Sequence, residues 1–445
     1  MLYYSTNNNS ALVDFKNATI KGQAPDGGLY FPERIPQLPF EFFNEIRLSS
    51  REEIAIEVIR PFVGDTIPEA ELKRIVAETI NFEFPLVKVD ENTFSLELFH
   101  GPTLAFKDVG ARFMSRCLGY FIKNAGRNIT VLVATSGDTG GAVASGFYDV
   151  DGINVVILYP TGKVSSVQEL QLTTYGKNIT ALEVNGNFDD CQHLVKQAFS
   201  DSELNTELFL TSANSINVAR WLPQQFYYFF AYRQWAHKSD PPVISVPSGN
   251  FGNVCAGLLA HRSGLPVKHF VAACNANNII PQYLDSGKYT PKQAVSTLSN
   301  AMDVGNPSNF VRILEIFNRE FKSLKNVMSS YSISDDETKN ILEDVYTKYQ
   351  YLLDPHGAVA YCALKTYLAD HLDEKGIFLE TAHPVKFYDV VEPIIHEKVP
   401  IPDAVKELLG KKKESIQIEV NYKTLKQLLL ASQQSQPRNV HHHSS

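Results

Sequence analysis

Six short apolar runs recur between residues 129 and 379: 129–134 (ITVLVA), 155–159 (VVILY), 179–184 (ITALEV), 243–246 (VISV), 270–273 (FVAA) and 377–379 (IFL). Most are bounded by Gly, Pro, Asn or Ser. A continuous apolar run of this length predicts a strand covered on both faces, as in parallel sheets. Helical stretches of ten or more residues separate the runs, among them 111–123 and 165–174. Strands alternating with helices predict an α/β fold with mostly parallel sheet. At 445 residues the chain exceeds one ordinary core, so two or three domains are expected.

The first eighty residues read differently. A Gly/Pro-rich segment, GQAPDGGLYFPERIPQLP, runs into a helical stretch at 50–63. This predicts a mainly helical N-terminal extension over 1–80. Two α/β subdomains are expected over 81–240 and 241–400, each an open twisted sheet. The Lys- and Glu-rich stretch 401–445 is expected to form a surface tail. The closing residues, His441 to Ser445, are set aside from site reasoning.

Composition narrows the function. The chain is 44% hydrophobic and 20% charged, as in soluble globular proteins. Its net charge is -8 with no long basic run, so it lacks a nucleic-acid footprint. An anionic ligand therefore needs a local cationic pocket. The five cysteines (Cys117, Cys191, Cys255, Cys274, Cys362) are far apart and form no CxxC pair. Neither a zinc site nor a disulfide framework is indicated, and reduced thiols in a cytoplasm are expected. No signal peptide is visible and no apolar stretch is long enough to span a bilayer.

Three local features carry chemistry. Ser136-Gly137-Asp138-Thr139-Gly140-Gly141 follows a predicted strand and opens a helix, so its backbone N–H groups suit a carboxylate or phosphate. The spacing does not fit the GxGxxG fingerprint, and no P-loop lysine follows. The plainer alternative is an ordinary strand-to-helix turn. Ser248-Gly249-Asn250-Phe251-Gly252-Asn253 repeats the logic with no Lys or Arg inside it, a cradle of amides for a phosphate that stays in place. Lys107, in GPTLAFKDVG, sits among apolar residues before a turn and a helix. Such a lysine either snorkels to water or works as a neutral amine, its pKa lowered by desolvation.

Taken together these segments resemble the threonine synthase family, pyridoxal-phosphate enzymes of fold type II in the tryptophan synthase β group. The matching motifs are HGPTLAFKDVGARFM (100–114), ATSGDTGGAVASGF (134–147), NSINVARWLPQ (214–224), SGNFGN (248–253), SNAMDVGNPSNF (299–310) and ETAHPVKF (380–387). They fall in the family's order and cover most of the chain. YYSTNNN and APDGGLYFPE resemble its opening segment. One departure is Val218-Ala219, where related sequences often carry an aromatic.

The resemblance implies roles. Lys107 would carry pyridoxal phosphate as a Schiff base and act as general base. Gly249, Asn250, Phe251, Gly252 and Asn253 would hold the cofactor phosphate. Thr381 would meet the pyridine nitrogen without forcing its protonation. The substrate would be O-phospho-L-homoserine, its carboxylate taken by Thr135, Ser136, Gly137, Asp138 and Thr139. Arg220 with Ser215 and Asn217, and Lys163 with Ser165, are candidates for its phosphate. The plainer readings are a surface helix residue for Arg220 and a turn lysine for Lys163. Asp108 is expected to cap or pair locally, and His100 to be packed and hydrogen-bonded. Asp303 and Asn306 lie in a family-specific segment with a structural or gating role. The implied reaction is hydrolysis of phosphohomoserine to threonine and phosphate, by a cytoplasmic monomer or homodimer.

Other readings are a threonine or serine dehydratase on the same fold, or a non-catalytic homologue that binds pyridoxal phosphate. The segments 214–224 and 299–310 argue against the first, and Lys107, both glycine loops and Thr381 against the second. An NAD-type enzyme lacks its fingerprint.

Overall fold

The structure, a computed structural model, describes residues 1–123 and 128–434. The terminal His441 to Ser445 lie outside the described residues. One sheet has six strands in the order Met328–Ser332, His269–Cys274, Val243–Pro247, Gly376–Glu380, Thr93–Glu97 and Leu86–Lys88. All neighbours in it are parallel except the last pair. The other sheet has five parallel strands in the order Ile416–Glu419, Ile179–Asn185, Ile153–Pro160, Ile129–Ala134 and Phe209–Ser212. The apolar runs are their centres. Every residue of Ile129–Ala134 and Ile153–Pro160 is buried, as both-face coverage requires.

Helix starts follow capping chemistry. Arg51–Val63 opens on a Ser50–Glu53 capping box, and Ser166–Thr173 on a Ser165–Gln168 one. The helix expected from residue 111 begins earlier, at Lys107, and runs as Lys107–Ile122. The N-terminal extension is mainly helical but includes a three-stranded antiparallel sheet, with Leu2–Ser5 between Val13–Asp14 and Tyr30–Pro32. Aromatic packing joins it to the rest. Phe31 stacks on Trp221 at 5.9 Å, and Phe15 meets Phe113 at 6.4 Å.

Two expectations about organisation need correction. The stretch 86–97 does not belong with the following α/β unit. Thr93–Glu97 pairs in parallel with Gly376–Glu380, from Thr93↔Gly376 to Glu97↔Glu380, so the 81–240 boundary cuts through the six-stranded sheet. A pairing between strands so far apart in the chain leaves no local signature. The residues 401–434 are also not a surface tail. Val405 joins an apolar cluster with Leu104 and Val391. Ile416–Glu419 adds an edge strand, and Leu425 and Leu429 of Tyr422–Gln434 are buried with Leu194 and Val195 of Phe188–Ser200. These leucines recur at helical spacing and form one apolar face among charged neighbours. Among the described residues, no helix is long and apolar enough to cross a membrane, and all five cysteines are free.

Candidate active site

Ligands of open parallel sheets bind beyond the carboxyl ends of the strands. Here those ends carry most of the predicted site. In the six-stranded sheet, Thr93–Glu97 leads toward Lys107, Val243–Pro247 into 248–253, and Gly376–Glu380 into Thr381. In the five-stranded sheet, Ile129–Ala134 leads into Thr135 to Thr139, Ile153–Pro160 toward Lys163 and Ser165, and Phe209–Ser212 toward Ser215, Asn217 and Arg220.

Lys107 is fixed beside Thr381. The Phe106 N–H donates to the Thr381 carbonyl at 2.9 Å, and Ala105 bridges Ala382. Thr381 itself is buried. The Lys107 amine lies over the Phe106 ring at 5.1 Å. Burial lowers its pKa below the ordinary lysine value. Asp138, at 4.0 Å, opposes this, while Lys386 and Arg220 reinforce it.

Asp138 is the hub of the cluster. Lys386 Nζ donates to its Oδ1 at 2.7 Å, and Gln168 Nε2 to the same oxygen at 2.9 Å. Burial works to raise the carboxyl, but Lys386, Lys107 and Gln168 together hold it well below the usual carboxylate range. Lys386 is wholly buried and also donates to the Thr103 carbonyl at 2.9 Å, where Gln171 joins it at 3.0 Å. Sequence reasoning did not single out Lys386 or Gln168. The signal for Lys386 was available: a lone lysine among apolar residues, as for Lys107, here a few residues past the predicted strand 377–379.

The two glycine turns are built differently. In the first, the Gly137 and Gly140 N–H groups donate to Thr135 Oγ1 at 3.0 and 2.9 Å, leaving Ser136 and Thr139 partly exposed. In the second, Phe251 takes a left-handed conformation (φ 62°) as the helix Gly252–Arg262 begins. A Cβ on Gly249 would stand 2.6 Å from Met302 Cα, so only glycine lets the 300–302 turn close over the loop. Asn250 accepts from the Ser308 N–H at 2.6 Å and donates to Ser215 Oγ at 2.8 Å. Asn253 donates to the Pro247 carbonyl at 2.7 Å.

The candidates for an anion clamp separate. Arg220 is buried rather than a surface residue. Its guanidinium donates to the Ala213 carbonyl, and Nε is buried without a hydrogen-bond partner. Burial brings its pKa down to about 10. Ser215 Oγ accepts from Asn250 and Asn309, tying it to the second turn. Asn217 caps a helical turn through the Ala219 N–H at 3.0 Å and donates to Thr19 and Ser212 carbonyls. Ser165 caps its own helix, and Lys163 is exposed on the turn before it.

His100 contacts Glu97 at 2.7 Å near the surface. Asp108 accepts from the Thr103 N–H and hydroxyl at 2.9 and 2.6 Å. Asp303 accepts from Thr297, Asn275 and Asn277, and Asn306 from the Tyr289 hydroxyl at 2.8 Å.

These residues fit pyridoxal phosphate. A partly buried amine of lowered basicity suits its aldehyde. A glycine turn closed by backbone and free of charged side chains suits its phosphate, and a buried threonine ends the strand beside the lysine.

Comparison with known proteins agrees with that fit. Three family models match: threonine synthase N terminus over residues 2–80, pyridoxal-phosphate dependent enzyme over 84–379, and threonine synthase, C-terminal, over 357–429. The chain is 48% identical to a threonine synthase of Haemophilus influenzae, across 91% of this chain and 94% of that one. The crystal structure of threonine synthase from Escherichia coli superposes with a TM-score of 0.90 at 40% identity, covering 97% of this chain and 100% of that one. A structure of PLP-bound threonine synthase from Brucella melitensis gives a TM-score of 0.91 at 36% identity, covering 97% and 99%.

Proposed function

The chain belongs to the threonine synthase family of pyridoxal-phosphate enzymes, and from that premise we propose that it converts O-phospho-L-homoserine and water to L-threonine and phosphate. The observation that carries the reading is the buried cluster at Asp138. A proton-transfer amine, Lys107, shares the Asp138 carboxylate with the wholly buried Lys386, and Arg220, near enough to act on Lys107 electrostatically, keeps an unspent donor. That arrangement suits a dianionic substrate whose bond to phosphate must break.

Bound, the cofactor supplies an electron sink for charge released at the substrate carbons. Lys107 takes the Cα proton and returns it at the end, a task its lowered basicity favours at neutral pH. Asp138 stays anionic, so it stabilises Lys107 whenever that amine is protonated. Ser136 and Thr139, the partly exposed residues of the first turn, take the substrate carboxylate. Lys386 and the free Nε of Arg220 orient the phosphate at Cγ and stabilise it as it leaves. A Cβ proton is also removed, and the electron pair it leaves expels phosphate from Cγ; the hydroxyl of water then bonds to Cβ, and protons are delivered to Cγ and Cα. Gly249 to Asn253 would hold the cofactor phosphate, while Thr381 would offer a neutral hydroxyl to the ring nitrogen. Asn217 and Ser165 act by shaping the backbone around this site. The enzyme works in the cytoplasm, as a monomer or homodimer.

The test supplies pyridoxal phosphate and O-phosphohomoserine and follows both products. Threonine and phosphate in equal amounts are expected. A keto acid made from threonine, with no phosphate released from phosphohomoserine, would replace this reading with a dehydratase.

A further inference from the structure

The turn Asn300–Met302 roofs the loop 248–253. A Cβ on Gly249 would meet Met302 Cα at 2.6 Å and the Ala301 carbonyl oxygen at 3.1 Å. One end of this roof is pinned by Asp303, which accepts from Thr297, Asn275 and Asn277. Before the turn, Asn275 donates to Ser299 and the Leu298 N–H to Asp335; within the turn itself, the Ala301 N–H donates to His356 Nε2 at 3.2 Å.

That bond determines the state of the imidazole. A backbone N–H only donates, so Nε2 must offer a lone pair. The ring proton is then on Nδ1, which donates to Asp354 Oδ2 at 2.6 Å. His356 is buried and packs on Phe387 at 4.9 Å. Asp354 is held in turn. Its Oδ1 accepts from the Gly357 N–H at 2.6 Å, capping the helix Pro355–Ala369. Its own N–H donates to Glu380 Oε1 at 2.6 Å. A Cβ on Gly357 would stand 1.4 Å from Glu380 Oε2, so the glycine is what lets that carboxyl reach the helix start. Glu380 directly precedes Thr381.

We propose that His356 is a positioning residue: its neutral Nδ1–H imidazole latches the 300–302 turn over the cofactor-phosphate loop and anchors it, through Asp354, to Glu380 at the end of a central strand. The inference rests on the reading of 248–253 as the cofactor-phosphate loop. A buried histidine serving packing alone needs no such partners. This one spends both nitrogens joining the roof of one predicted cofactor contact to the strand end that carries another.

The experiment compares His356→Phe, which keeps ring volume without hydrogen bonds, with His356→Gln, which keeps an acceptor for Ala301. Binding of pyridoxal phosphate and of pyridoxal to the apo-protein is read by fluorescence quenching. The latch predicts that His356→Phe weakens pyridoxal phosphate about 10-fold, the cost of stranding a buried donor, and leaves pyridoxal unchanged. His356→Gln should recover most of that selectivity. A folded His356→Phe protein that binds both as the wild type does, or loses both equally, overturns the latch. Gly249→Ala is the control for the underlying reading. If it leaves the preference for the phosphorylated form intact, 248–253 is not the phosphate loop. If it abolishes the preference and His356→Phe does not, the latch alone fails. Amide exchange of the wild type needs no variant: the Ala301 N–H should be protected, and exchange at the rate of an exposed turn contradicts the latch.

Discussion

The turn at 136–141 and the turn at 248–253 both leave a parallel strand and open a helix. In the first, Thr135 takes up two of the turn's own N–H groups, and Asp138 places a buried carboxylate against Lys386, with Lys107 at 4.0 Å. In the second, there is no charged side chain. Asn250 and Asn253 are spent on neighbouring backbone and Ser215, and the 300–302 turn closes the top. A turn held by neutral hydrogen bonds suits a ligand that stays. A turn beside a balanced set of buried charges suits one that arrives charged, exchanges protons and departs. Similar glycine-rich sequence therefore serves two purposes, and the side chains around it decide which.

The contrast can be broken from either side. The largest effect is expected from Lys107→Ala, which should lower kcat by about 10³-fold in the phosphate-release assay. Retained steady-state turnover would remove the central residue from the account. Next is Lys386→Met, which strips Asp138 of its 2.7 Å partner. Leaving a buried charge uncompensated should cost about 3 kcal/mol of stability by denaturant titration. It should also raise KM for phosphohomoserine more than it changes cofactor affinity. Equal loss of both would erase the division of labour between the turns. Gly249→Ala should do the reverse, weakening pyridoxal phosphate about 10-fold in equilibrium dialysis while sparing KM once cofactor is saturating.

The smallest effect concerns pH. His383 lies between Thr381 and Lys386, and burial brings its pKa down to about 4. The folded chain keeps it neutral to about pH 4, whereas the unfolded chain takes the proton near the ordinary value of about 6.5. Between those values the unfolded state binds more protons, so stability should rise with pH across this window. His269, also lowered to about 4, contributes in the same window. A thermal melt series should show the slope, and His383→Asn should flatten part of it.

Much of this arrangement was legible because it is written locally. Buried parallel strands leave unbroken apolar runs, both turns stand directly after strands, and Lys107 is marked by its apolar neighbours. What escaped depends on distance along the chain. The pairing Thr93↔Gly376 that moves 86–97 into the six-stranded sheet has no local signal. Charge-rich composition hid Leu425 and Leu429, which cover the helix Phe188–Ser200. Lys386 repeats the pattern of Lys107 but draws its meaning from Asp138, far away in sequence. Asn217 and Ser165 carry polar groups suited to binding, yet they are engaged with the backbone.

The most direct measurement maps which lysine carries the cofactor. The protein would be loaded with pyridoxal phosphate, reduced with borohydride and digested, and the modified peptide identified by mass. The account predicts the pyridoxyl group on Lys107, whose basicity desolvation lowers. Label on Lys386, the lysine committed to Asp138 and Thr103, would contradict it.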